Sequence, residues 1–313
     1  MRAIVAILML TVAIDAGACT TFCTRSLFGR NYDFEIGYGL VIVNKRDVRK
    51  TSQKEVKPAA WTSKYGSLTF NQFGRDSATG GMNEKGLVVE LMWLDGTEYP
   101  KADARSELGT LEWIQYQLDT ASTVAEVIAS DAKVRIGAGA PLHYLVADAS
   151  GDEAAIEFLN GKMVVHRGAN VLANDPYTAS VAMMKRGAMD RFARASKGLQ
   201  NATSISGAFA LLDEVAQPHT QWSIVYDIRA RSVYWRTKQN RMQRGTSLTQ
   251  LDFSCATPVQ IADIDGGAFT NYTTERNAAL VRRSTRGTSF LHDTPDAEIA
   301  KSAKWPERSR CAF

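Results

Sequence analysis

The chain has 313 residues, 45% of them hydrophobic and 22% charged, with 37 Lys and Arg against 33 Asp and Glu for a net charge of +4. That composition supplies a substantial core and excludes a disordered tail, a collagen-like fibre and a small disulfide-stapled scaffold. The charge is too even to argue for a nucleic-acid partner, four cysteines are too few for a disulfide framework, and the length permits one domain or two.

Residues 1–18 read MRAIVAILMLTVAIDAGA: one basic residue, Arg2, an apolar run from Ala3 to Ile14, and the small-residue ending Ala16-Gly17-Ala18. The run is shorter than the roughly twenty apolar residues that cross a bilayer as a helix. It predicts a secretory leader cleaved after Ala18, and hence an exported protein, periplasmic or secreted, that begins at Cys19. No later stretch is apolar and long enough to span a membrane, so no stable membrane span is expected.

Thr20 to Leu27 is β-branched and aromatic, with a turn expected at Phe28-Gly29-Arg30. Leu40 to Val43 and Gly86 to Trp93 read as Val-rich strands. Glu112 to Leu118 and Thr123 to Ala129 read as two short helices, the second capped by Ser122 or Thr123 with Glu126 behind. Strand patterns follow at Leu142 to Ala147, Ala154 to Leu159, Met163 to His166 and Val171 to Ala173, with hairpin turns at Ser150-Gly151 and Asn160-Gly161. One helix is expected from Ser180 to about Ser196 and another from Ser204 to Val215. Trp222 to Tyr226 and Ser232 to Arg236 form a further hairpin, and residues 283–313 read as a polar surface tail. Antiparallel hairpins interleaved with helix pairs predict an α+β domain, and no linker cuts residues 19–313 in two.

Cys19 stands where two chemistries exclude each other. Lipidation of its thiol would make a membrane-anchored, non-catalytic binding protein. A free N-terminal Cys19 would instead carry a thiol and an α-amine on one residue. Such an amine titrates near 7.7 to 8.0 and is neutral often enough to take the thiol proton, so one residue supplies nucleophile and base. Signatures of other chemistries are missing: no phosphate-binding Walker loop, HExxH, CxxC or GxSxG occurs. His143, His166, His219 and His292 have no metal-ligand spacing, and His143 lies in an apolar strand run that suits a hydrogen-bonded core histidine.

Three motifs follow the leader in order: Cys19-Thr20-Thr21-Phe22, then Gly29-Arg30-Asn31-Tyr32-Asp33-Phe34, then Gly81-Met82-Asn83-Glu84-Lys85-Gly86-Leu87. Together with Trp61 to Ser67, Leu142-His143, Asn174-Asp175-Pro176 and Asp190-Arg191-Phe192, this order resembles the choloylglycine hydrolase family. That family includes the bile salt hydrolases and penicillin V acylases, linear-amide hydrolases with an N-terminal nucleophile. The resemblance runs from Cys19 to about Tyr234. It implies a four-layer αββα sandwich of the N-terminal nucleophile hydrolase type and hydrolysis of a linear, non-peptide C–N amide bond in an N-acyl compound through a thioester. It implies no metal and no organic cofactor, a small-molecule N-acyl amide as partner, and a homotetramer.

The resemblance also carries roles onto residues. Cys19 matches the nucleophile, Arg30 the cation beside the thiol, and Asp33 the group that holds the α-amine. Asn174 matches the side-chain oxyanion donor and Arg191 the arginine lining the site. Trp93 stands where the family usually has Asn or Tyr: its backbone N–H keeps a place in the oxyanion hole, while its indole would reshape the acyl pocket. Bile salts, phenoxyacetyl penicillins, N-acyl homoserine lactones and other lipid-like amides all stay open as substrates. Cys23, four residues along the same strand, reads as a buried thiol, and Cys255 with Cys311 is a candidate disulfide. The basic residues from Arg229 to Arg244 read as a solvated face. An inactive relative that keeps the fold is the remaining alternative.

Overall fold

The computed structural model describes residues 19–313; the expected leader, residues 1–18, lies outside the described residues. In chain order the strands are β1 (Thr20–Cys23), β2 (Leu27–Asp33), β3 (Leu40–Asn44), β4 (Val48–Thr51), β5 (Ala60–Thr62), β6 (Ser67–Asn71), β7 (Gly80–Asn83), β8 (Val88–Trp93), β9 (Ser106–Leu108) and β10 (Val134–Ile136). They continue as β11 (Leu142–Ala147), β12 (Glu153–Leu159), β13 (Lys162–Arg167), β14 (Val171–Leu172), β15 (Thr220–Asp227), β16 (Ser232–Thr237), β17 (Arg244–Ser247), β18 (Gln260–Asp263), β19 (Gly266–Asn271) and β20 (Arg310–Cys311). The helices are α1 (Thr110–Thr120), α2 (Val124–Ala129), α3 (Tyr177–Lys185), α4 (Arg191–Gly198), α5 (Ile205–Glu214), α6 (Thr274–Gly287) and α7 (Asp296–Lys304).

Two sheets pack face to face. One has the order β14-β1-β2-β15-β16-β17, the other β13-β12-β11-β8-β7-β6-β3-β18-β19. Strand alternation sorts the side chains of each sheet onto two faces. On β2, Phe28 and Tyr32 join the core shared with Leu68, Phe70 and Met92 of the opposite sheet, while Leu27 of β2 and Phe22 of β1 pack outward onto Phe192 of α4 and Phe209 of α5. The outer face of the larger sheet is covered by α1 through Trp113, Ile114 and Leu118, and by α6, whose Leu280 meets Leu40, Ile42 and Ile261. Each fully buried Phe or Leu in these layers contributes about 1.5–3 kcal/mol relative to exposure. The result is the α+β, helix–sheet–sheet–helix sandwich.

Local differences from the sequence expectation have local causes. No turn forms at Phe28-Gly29-Arg30. β2 runs through it, and the chain reverses earlier, where the Thr24 side chain accepts from the Leu27 N–H at 3.1 Å. Gly29 lets Phe22 pack directly against the backbone: a Cβ there would overlap the Phe22 ring. The single helix expected from Ser180 to Ser196 is two helices. Gly187 takes φ +93° after α3, and Asp190 caps α4 by accepting from Ala193 N at 2.8 Å.

The stretch read as a polar tail is also ordered. It holds the last turns of α6, then α7 and β20, and Cys311 is bonded to Cys255. The helical pattern of α6 escaped notice because its buried face mixes Leu280 and Val281 with Asn277, Ser284 and Thr285. Asn277 finds a partner for each end of its amide: Oδ1 accepts from Arg75 N at 2.8 Å and Nδ2 donates to Ala303 O at 2.7 Å.

Candidate active site

Cys19 lies just before β1, one step beyond the Thr20–Asn31 pair, so it sits beside Tyr32. Because β2 alternates, Arg30 points into the space between the sheets and Asp33 points towards the helices. The two flank Cys19 from opposite sides. Cys19 is 2% exposed, and its Sγ is 3.7 Å from Asp33 O. Burial pushes the thiol up to about 11; Arg30 and Arg191 oppose the shift, and the Asp33 charge adds to it. At neutral pH the thiol therefore holds its proton, and a base must take it before sulfur can attack.

Arg30 is fully buried and cannot shed its charge, so it needs partners. Its Nη1 pairs with Glu90 and donates to Thr79 O at 2.9 Å; Nη2 donates to Leu91 O at 3.2 Å. The guanidinium lies 4.6 Å from the centre of the Tyr32 ring. The Tyr226 hydroxyl donates to the other Glu90 oxygen. Burial raises Glu90 to about 7, against the pull of Arg30 and Tyr226. Gly80 makes the room, since a Cβ there would overlap the Glu90 carboxylate. The sequence reading missed Glu90 and Tyr226. The usable signal was one acid in the apolar strand Val88-Val89-Glu90-Leu91-Met92.

Asp33, also fully buried, accepts from the Thr220 hydroxyl through Oδ1 and has Oδ2 3.7 Å from Arg191 Nη1. Arg191 is the first residue of α4. The break between α3 and α4 is what lets it reach back to Cys19, where Nη1 donates to Cys19 O at 3.0 Å and Thr20 Oγ1 at 3.3 Å. Its Nη2 donates to Asn174 Oδ1 at 3.2 Å. Asn174 Nδ2 in turn donates to Trp93 O at 2.8 Å, tying together the two residues expected to meet an oxyanion. Behind Asn174, His143 is the core histidine its setting suggested. Its Nε2 is 2.7 Å from Ala173 O and its Nδ1 is 3.2 Å from Glu157 Oε1, which also accepts from Tyr177 N at 2.8 Å. Cys19, Arg30, Asp33, Asn174, Arg191 and Trp93 thus meet at one place, although they span 172 positions between Cys19 and Arg191.

A cavity of about 230 Å³ opens onto Cys19 and Asp33. Its walls are almost wholly apolar, with Tyr32, Phe34, Phe73, Leu91, Trp93 and Leu142 prominent. Trp93 is half-buried and its Nε1 donates to Asp95 Oδ1 at 2.8 Å, which fixes the indole. Cys23 is a buried free thiol. Among the described residues no group of three or more His, Cys, Asp or Glu could hold a metal ion, and no helix is long and apolar enough to cross a membrane.

Residues 18–186 match the family model of linear amide C-N hydrolases, choloylglycine hydrolase family. A penicillin V acylase of Pectobacterium atrosepticum is 38% identical over 138 residues, and the match spans 37% of this chain and 36% of that relative. The penicillin V acylase structure from Agrobacterium tumefaciens superposes with a TM-score of 0.71 at 26% identity, covering 82% of this chain and 98% of that one. A variant of conjugated bile acid hydrolase from Clostridium perfringens shares the fold, with a TM-score of 0.68 at 17% identity over 82% of this chain and 99% of that one.

Proposed function

The chain belongs to the choloylglycine hydrolase family of linear amide C-N hydrolases, and from that premise we propose that it is an exported cysteine amidohydrolase cleaving an N-acyl amide with an apolar acyl group. The observation that carries the reading is Cys19 on the floor of an apolar cavity, within one hydrogen-bonded set of Asp33, Arg191 and Asn174. Removal of residues 1–18 gives Cys19 a free α-amine. That amine takes the thiol proton, sulfur attacks the amide carbonyl carbon, and the carbonyl oxygen becomes an oxyanion. Asn174 Nδ2 and the Trp93 N–H donate to this oxygen. Collapse breaks the C–N bond, and the α-ammonium returns its proton to the departing amine. Water then attacks the thioester, giving its proton to the same α-amine, and the C–S bond breaks to release the acid. Arg191 holds the Cys19 carbonyl so that sulfur keeps its line of attack. Export is supported by the leader pattern and by the Cys255–Cys311 disulfide, since such bonds persist in oxidising compartments. Burial of the Cys19 thiol inside the fold speaks against a lipid anchor on it.

The test uses protein whose first residue is Cys19 and a panel of N-acyl amides, with released amine and intact mass as readouts. Turnover with an acyl adduct on Cys19 is the expected result. A diacylglyceryl adduct on Cys19 in the exported protein, or no amine from any substrate, sinks the reading.

A further inference from the structure

The cavity over Cys19 is not closed by the matched part of the chain alone. Phe290 and Leu291, far beyond residue 186 where the family match ends, line it from the segment between α6 and α7. Phe290 is 51% exposed, a large ring outside the core. It nonetheless meets Trp93, with ring centres 5.7 Å apart and a 57° tilt, and stands edge-on to Phe34 at 6.5 Å and 88°. Phe34 stands edge-on to Phe73 at 6.2 Å and 88°. Four rings from separate parts of the chain therefore frame one opening.

The segment is held in this position. Ser289 donates to Glu35 through its N–H at 2.8 Å and its hydroxyl at 2.6 Å, which ties it to the end of β2, two residues after Asp33. Leu291 N donates to Thr288 O at 3.0 Å and Thr294 N to Leu291 O at 2.9 Å, so the turn is closed on itself. Arg286 spans it, donating to Thr294 O at 2.7 Å and pairing with Asp296 at 2.7 Å.

We propose that Phe290 and Leu291 are specificity-determining residues, an outer wall that admits slim apolar acyl groups, one aryl ring or one unbranched chain wide, in preference to fused polycyclic ones. Edge-on and tilted rings leave flat slots that a single ring or chain fills, and a broad rigid acyl group needs the space that Phe290 occupies. The inference rests on the reading that the acyl group lies in this cavity when Cys19 attacks.

N-phenoxyacetylglycine and a glycine-conjugated steroid acid share their amine and differ only in acyl width. In the Cys19→Ala protein, binding of each is measured by calorimetry with and without Phe290→Ala. In protein with Cys19 intact, kcat/KM is measured for the same pair. Phe290→Ala is expected to weaken phenoxyacetylglycine about tenfold and to shift the ratio of the two substrates by at least that much towards the steroid conjugate, a range usual for one apolar pocket contact. Equal changes for both compounds, or none, overturn the wall. If Phe290→Ala lowers the melting temperature, Phe290→Leu, which keeps an apolar side chain at this position, gives the same reading. A binding shift without turnover by any Cys19 protein leaves the wall standing and removes the hydrolase reading instead.

Discussion

The floor and the outer wall of the cavity are built by opposite means. The floor is charged, buried and drawn from β1, β2, β8, β14 and α4, with every cation given a partner: Arg30 with Glu90, Arg191 with Asp33 and Asn174. The outer wall is a half-exposed ring on a turn near the other end of the chain, held by two hydrogen bonds to Glu35. Bond-making fixes which atoms the floor must present and where. The wall has only to be apolar and of the right width, so many segments could serve. Changes in the floor should therefore abolish chemistry or the fold, and changes in the wall should re-rank substrates.

The largest effect separating the two is expected at Cys19. On the proposed mechanism Cys19→Ala removes both nucleophile and acyl adduct, so amine release should fall below detection while the protein melts normally; retained turnover would place the chemistry elsewhere. Next is Glu90→Gln, which leaves Arg30 buried without its counter-charge and should cost about 3–5 kcal/mol in urea unfolding. An unchanged midpoint would mean that the Thr79 and Leu91 carbonyls alone sustain the cation. Asn174→Ala removes the side-chain donor proposed for the oxyanion and should lower kcat about 100- to 1,000-fold, or about 2.7–4 kcal/mol. Its KM should hardly move, and a change confined to KM would make Asn174 a part of the wall rather than of the floor.

How far the sequence foretold this follows the same division. Cys19 stood out by its place after the leader pattern, Arg30 and Asp33 took their roles from the family motifs, and the hairpins at Gly151 and Gly161 were legible from the Ser-Gly and Asn-Gly dipeptides, whose glycines do sit at positive φ. Asn174 and Arg191 likewise came through the family motifs, not from spacing. Glu90 was hidden because its partner lies sixty positions away on the facing sheet, and a lone acid in a strand does not announce which cation it meets. Thr220 was missed for the same reason, its contact with Asp33 arising only when β15 pairs with β2. The ordered C-terminal segment was hidden by composition, since a helix that buries Asn277, Ser284 and Thr285 shows little apolar period.

That segment offers the smallest and most discriminating test. The Cys255–Cys311 bond closes 56 positions and ties the end of the chain to the loop before β18. β20, which contains Cys311, pairs with β4, and α7, which follows the turn that carries Phe290, packs on α6. Replacing both cysteines by Ser should cost about 2–4 kcal/mol by loosening constraint on the unfolded chain. Cys19 and its partners take no contact from this bond, so the floor's chemistry should persist at temperatures where the protein stays folded. The acyl preference should drift in the same direction as in Phe290→Ala, but less, because Ser289 keeps its hold on Glu35. If the double replacement instead stops turnover of every substrate at equal folded fraction, the C-terminal segment supports the floor as well, and the division between the two regions fails.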